Sequence, residues 1–282
     1  MTALSEADYN TDNLHMLFRR MCGVATNDRN HHNVMRHKSS CDDYATIYRE
    51  VYQRRLLEGD SEALGESVLK AAQNLTKLSQ LIEVWAMIGA QYVDPVESKK
   101  VGNGYSGHSY LMEMPLKDMI KSIAIEAVCR EWAGAPEDFT RLLEKLFRTA
   151  DVREQQLIVR VLPLLKFQER FLRIATEAAR TNIVPVFSSL ALNNPYPLVH
   201  FDENQWNQMV LKAIFVSCDI SKIVGLHERQ NSSLAETVFQ YISERHSAQR
   251  SVPRNVVEHC EQALSDTSRL KLNAIKPLLR EE

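Results

Sequence analysis

The chain has 282 residues, 44% of them hydrophobic and 25% charged, with a formal net charge of −2. That composition suits a globular chain long enough to bury a sizeable core, and the near-neutral balance excludes a broad grip on nucleic-acid phosphates. Only nine glycines occur; a turn-rich all-β design is excluded, and the apolar periodicities point to an all-α fold.

In chain order, residues 1–40 are polar around Thr26-Asn27-Asp28-Arg29-Asn30-His31-His32-Asn33. They read as a mobile segment ahead of one helical domain over 41–282. Within that segment Leu14, Leu17, Phe18 and Met21 share one face of a short helix. His31, His32 and His37 are of the type that binds zinc, but neighbouring histidines in a solvated tail seldom close a site. Asp43 is placed as a helix cap, with Tyr44, Ile47, Tyr48 and Val51 inward. Magnesium ligation by Asp42, Asp43 and Glu50 is the rival use of those carboxylates.

Asp60-Ser61-Glu62 opens another helix, with Leu64, Val68, Leu69 and Ala72 as its stripe. The next runs from Leu75 to Tyr92 and stops at Asp94-Pro95, because the residue ahead of a proline is driven out of helical backbone. Residues 94–110 form the clearest loop. Gly102-Asn103-Gly104-Tyr105-Ser106-Gly107 matches GxGxxG, yet Glu97-Ser98-Lys99-Lys100 ahead of it is no buried strand. A flexible loop or lid therefore replaces the dinucleotide reading, and no nucleotide cofactor is expected.

Pro115 suits a first helical turn, followed by an apolar face of Ile120, Ile123, Ala124, Ala127 and Val128. Gly134-Ala135-Pro136 breaks the chain and starts a helix with Phe139, Leu142, Leu143, Leu146 and Phe147 inward. Asp151 caps the next, which runs to Leu165 with Pro163 near its end. A further helix covers Phe167 to Thr181, where Glu169, Arg173 and Glu177 make a solvated ladder of opposite charges. Helix pairs on short loops without a fixed repeat period predict an orthogonal helical bundle or an irregular α-solenoid.

Pro195 and Pro197 flank Tyr196, predicting a stiff extended elbow. Asp202 with Gln205 makes a capping box, and the helix behind it aligns Asn204, Gln208 and Lys212 on one face. Asn207, Leu211 and Ile214 share an adjoining face, while Trp206, Val210 and Phe215 supply apolar surface. Amides and amines beside apolar residues are costly to bury without partners. Two uses of them stand side by side: they tie down the proline elbow and neighbouring helix ends, or they line a ligand pocket.

Five dispersed cysteines, Cys22, Cys41, Cys129, Cys218 and Cys260, form no CxxC pair. With no secretory leader evident, reduced thiols in a cytoplasmic protein are expected. The longest apolar cluster, residues 81–90, contains Glu83 and is too short for a bilayer, so no transmembrane segment is expected. GxSxG, HExxH and Walker A motifs are absent, which disfavours the hydrolase and nucleotide classes they mark.

The run Asn193-Asn194-Pro195-Tyr196-Pro197, then Phe201, then residues 207–215, resembles the EboA family. Glu177-Ala178-Ala179-Arg180-Thr181-Asn182, Gly225-Leu226 with Arg229 and Asn231, and Glu244-Arg245 with Arg250 fit the same order. The likeness covers about residues 160–250. It departs at two places: His246 stands where an aromatic residue is expected nearby, and Gln249 near an expected glycine. The resemblance implies an all-helical protein of secondary metabolism, encoded beside a membrane prenyltransferase of the UbiA type and other pathway enzymes. Certain fungal sesquiterpene cyclases without the aspartate-rich motif look like this type of domain.

The resemblance thus frames two functions. In the first, an isoprenoid diphosphate is the small-molecule substrate of a terpene cyclase. Arg180, Lys212, Arg229, Arg245 and Arg250 would hold the phosphates. Asn182, Asn193, Asn194, Asn207, Gln208 and Asn231 would add amide donors. Tyr196, Trp206 and Phe215, with Phe201, would offer π faces to the carbocation. Mg2+ would enter with the diphosphate, helped by Glu177 or Asp202, although no DDxxD occurs. In the second, the chain is a non-catalytic helical adaptor that helps process or export a natural-product precursor. An enclosed cationic cavity would favour the first, an open apolar groove the second.

Overall fold

The computed structural model describes residues 34–58 and 114–279, together with Gln80, Glu83 and Trp85. Most of the helices expected between 60 and 92, the 94–110 loop and the side chains of His31, His32 and His37 lie outside the described residues. Within them every regular element is helical and no strand forms, as the composition and periodicity predict.

Helix α1 spans Val34–Glu58. It starts well ahead of Asp43, which sits exposed mid-helix and caps nothing, because an aspartate facing water is tolerated in a helix interior. The expected inward face is real: Tyr44, Tyr48 and Val51 are buried. Helix α2 (Leu116–Glu131) follows Pro115 directly and buries Ile120, Ile123, Ala124, Ala127 and Val128. Glu126 on α2 is nearly buried and bonds Arg49 of α1 at 3.2 Å and Arg130 at 3.0 Å, so its charge is compensated across the helix pair.

Helix α3 (Pro136–Thr149) begins at the predicted break and buries Phe139, Leu143, Leu146 and Phe147. Helix α4 (Val152–Val161) opens on a full capping box between Asp151 and Glu154. It ends before Pro163, which sits in a 3-10 turn over Leu162–Leu164, since a proline breaks the α-helical hydrogen-bond ladder. The single helix expected over Phe167 to Thr181 is divided. Phe167 takes a left-handed φ of 57°, a 3-10 turn covers Gln168–Phe171, and helix α5 runs Leu172–Arg180.

Helices α6 (Val184–Ala191), α7 (Tyr196–His200), α8 (Glu203–Phe215), α9 (Ser232–Ser247), α10 (Arg254–Glu261) and α11 (Asp266–Ile275) complete the chain. In the packing α2 lies on α4, α4 on α6 and α6 on α8, with α3 and α5 on the flank. Helix α1 covers α2 and α7, and α9 joins α8 to α10 and α11. A continuous core threads this succession, from Tyr48 through Leu143, Phe171 and Phe187 to Trp206, Val238 and Cys260. Among the described residues no helix is long and apolar enough to cross a membrane.

Candidate functional site

The proline run does not form an extended elbow. Pro195 has φ −78° and ψ −9°, and Pro197 falls in the first turn of α7, where a missing N–H is harmless. Asn194 makes this turn possible. Its carboxamide is 2% exposed, accepts from the Tyr196 N–H at 2.9 Å, and donates to the carbonyls of Val159 and Ser189 at 3.2 and 3.1 Å. Tyr196 is wholly buried and donates its hydroxyl to the Gln168 carbonyl at 2.6 Å. Burial, the larger cause, and nearby negative charge push that phenol far above its ordinary pKa.

A second cluster joins α7, α8 and α9. Arg229 donates from one Nη to the carbonyls of Phe201 at 2.8 Å, Pro197 at 3.2 Å and Leu198 at 3.4 Å, closing the C-terminal end of α7. Its guanidinium lies 4.7 Å from the ring centre of Trp206, itself fully buried. Among the described residues the Trp206 Nε1–H has no hydrogen-bond partner. Asn207 and Asn231 exchange paired amide hydrogen bonds of 3.2 and 2.9 Å, and Asn231 also caps α9. Gly225 ahead of this loop has φ +81°, and a Cβ there would run into Leu198 of α7, so both backbone and space require glycine.

Lys212 directs its ammonium to the carbonyls of Ala179 at 2.8 Å and Thr181 at 2.6 Å, and lies 4.8 Å above the Phe187 ring. It therefore closes the C-terminal end of α5, where a cation also meets the negative pole of the helix. Burial lowers its pKa from the ordinary lysine value.

Between α5 and α8 lies a half-open cleft of about 220 Å3. Thr176, Ala179 and Arg180 line it from α5; Gln205, Gln208, Met209 and Lys212 line it from α8, with Phe201 at one end. Arg180 is exposed, and its guanidinium makes no hydrogen bond or ion pair among the described residues. Gln208 is exposed and bonds Asn204 at 3.3 Å. The wall is fixed from below: Gln205 completes the Asp202 capping box and reaches the Thr176 hydroxyl at 3.5 Å, while Arg229 holds the Phe201 carbonyl.

Of the expected binding residues, the cleft brings together Arg180, Gln208 and Lys212. Asn194, Asn207, Arg229 and Asn231 are committed to backbone and to each other inside the scaffold. Asn182 and Arg250 are exposed away from the lining, and Arg245 donates its Nε to the Ser251 carbonyl at 2.6 Å. Asn193 adopts φ 56° and donates its backbone N–H to the Lys222 carbonyl. The three aromatic residues do not converge: Tyr196 and Trp206 are sealed in the core, whereas Phe215 is 62% exposed. Of the carboxylates, Glu177 pairs with Arg148 at 3.0 Å, and Asp202 caps α8. Burial, the leading cause, pushes the thiols of Cys41, Cys129 and Cys260 up to about 12, which suits inert core residues rather than nucleophiles.

From the sequence alone Thr176, Ala179, Gln205 and Met209 do not stand out as site residues. Their signal was present, since 176, 179 and 180 on α5 and 205, 208, 209 and 212 on α8 each follow helical spacing along one face. Met209 reads as core by type, and Gln205 as a cap, which hid their second role.

Residues 123–261 match the family model described as metabolite traffic protein EboA. This is a wider span than the motifs alone suggest, from within α2 to the end of α10. No curated protein and no solved structure matches the chain.

Proposed function

Because residues 123–261 match the EboA family model, we propose that this chain handles a small metabolite of secondary metabolism as a non-catalytic binding protein, with the α5–α8 cleft receiving the metabolite's anionic end. The observation that carries this reading is the contrast among the cations. Lys212, Arg229 and Arg245 direct their donors to backbone carbonyls, whereas Arg180 sits on the cleft with its fork unengaged by any described residue, beside Gln208 and above an apolar floor. A free guanidinium offers bidentate donors that match a carboxylate or phosphate. Burying that anion beside Lys212 adds a second positive charge without disturbing the α5 cap.

The finer reading, a Mg2+-dependent cyclase acting on an isoprenoid diphosphate, draws less support. Such an enzyme encloses the whole chain away from water and presents π faces to the cation. Clefts that enclose a drug-sized ligand run to about 300–1,000 Å3. The α5–α8 cleft, at about 220 Å3, has room for a headgroup, and only Phe201 of the named aromatic residues lines it.

The test uses farnesyl and geranylgeranyl diphosphates with and without Mg2+. Titration calorimetry should register binding, which Arg180→Ala weakens about tenfold, the loss of one charge-assisted contact, while the circular dichroism spectrum stays unchanged. Extracts should contain no hydrocarbon. A Mg2+-dependent hydrocarbon product would overturn the non-catalytic reading. Binding indifferent to Arg180→Ala would overturn the assignment of the cleft.

A further inference from the structure

Lys212 is the last residue of α8 to line the cleft. Helix α8 continues for three more residues, and Phe215 lies seven positions beyond Gln208, two turns further along the same face. That face therefore carries a polar cleft and, about 10 Å on, a large aromatic side chain that is 62% exposed. Phe215 is also braced. Its ring meets Tyr241 of α9 edge to face at 5.3 Å and 80°, and the Arg245 guanidinium lies 5.7 Å over Tyr241 from α9. An exposed phenylalanine held by an aromatic neighbour is a prepared apolar surface.

Resting on the reading of the cleft given above, we propose that the ligand is a free single-chain amphiphile. Its phosphate or carboxylate end sits against Arg180 and Gln208, and its hydrocarbon tail runs along α8 over Phe215 and Tyr241. Three observations carry the assignment. The cleft is too small for more than a headgroup, so a tail must leave it. It is half-open, so a tail can leave. The exposed aromatic stands on the α8 face that carries Gln208 into the cleft, about 10 Å further along it, a separation that an extended alkyl or prenyl chain spans. Tail burial against Phe215 supplies affinity that a lone anion at an exposed arginine lacks.

Titration of the full chain with methyl phosphate and with dodecyl phosphate, the latter kept below its micelle concentration, tests this. Dodecyl phosphate should bind about tenfold tighter or better, from apolar burial alone. Phe215→Ser should abolish that gain while leaving methyl phosphate binding unchanged, and Phe215→Tyr should retain it. Phe215 is exposed, so both variants should fold with wild-type circular dichroism. A gain that survives Phe215→Ser overturns the tail path, and the absence of any gain, with methyl phosphate still bound through Arg180, overturns the tail inference alone. If neither phosphate binds, the cleft reading falls and takes the tail with it. Sedimentation with vesicles of phosphatidylcholine and phosphatidic acid forms the last arm. Binding to vesicles without binding to the dissolved amphiphile overturns the proposal in favour of a membrane surface.

Discussion

Asn194 is 2% exposed, yet its carboxamide uses both its oxygen and its nitrogen, holding the first turn of α7 to α4 and to α6. Such a residue is expensive to remove because its partners stay behind. In Asn194→Ala the Val159 and Ser189 carbonyls and the Tyr196 N–H lose partners in a region water does not reach. We expect a loss of about 2–3 kcal/mol, read as a lower denaturant midpoint at unchanged slope. Arg229 and Lys212 work on the same principle at helix C-termini, where charged donors reach otherwise orphaned carbonyls. A polar residue that recurs in a motif is thus not automatically a ligand residue. Here the motif's Asn194, Asn207, Arg229 and Asn231 build the scaffold that holds the cleft wall, and Arg180 alone of the motif's cleft-lining cations makes no bond to the described residues.

At the scale of elements, the caps decide where helices begin and end. The capping boxes at Asp151 and Asp202 follow from their sequences alone, because the acceptor and the reciprocal side chain lie three residues apart. The end of α9 is less well served. Gln249 follows the Ala248 cap with φ 55°, a left-handed backbone that suits glycine, and the family resemblance expects a glycine near there. Gln249→Gly should therefore stabilise the protein by about 1 kcal/mol, measured as a raised Tm by calorimetry. A neutral or negative shift would count against strain at this cap. Gly225 shows the converse: with φ +81° and Leu198 against it, that position has no room for a side chain.

For the whole molecule, one buried base ties stability to pH. His259 on α10 is 4% exposed, and its Nδ1 accepts from Gln230 at 3.2 Å. Burial first, and His227 second, push its pKa from 6.5 down to about 4. The unfolded chain takes up a proton below 6.5 that the folded chain refuses. Stability from the neutral ring is therefore complete above 6.5 and is lost as pH falls towards 4, on the order of 2–3 kcal/mol. Denaturation midpoints should fall across that window, and His259→Gln should flatten the slope whatever its effect at neutral pH. Below pH 4.5 Glu236 steepens the decline, since hydrogen bonds from Ser265 and then Ser268 hold its carboxylate below the usual range. The all-α class, the inward faces of α2 and α3 and the two capping boxes were set by the sequence itself, because each depends on residues within a turn or two of one another. The break at Phe167, the helical turn through Pro195-Tyr196-Pro197 and the fate of each cation were decided only by tertiary structure. Their partners lie far away along the chain, as with Lys212 and Ala179, 33 residues apart, and a donor's role is unknown until folding shows which carbonyls stand within its reach.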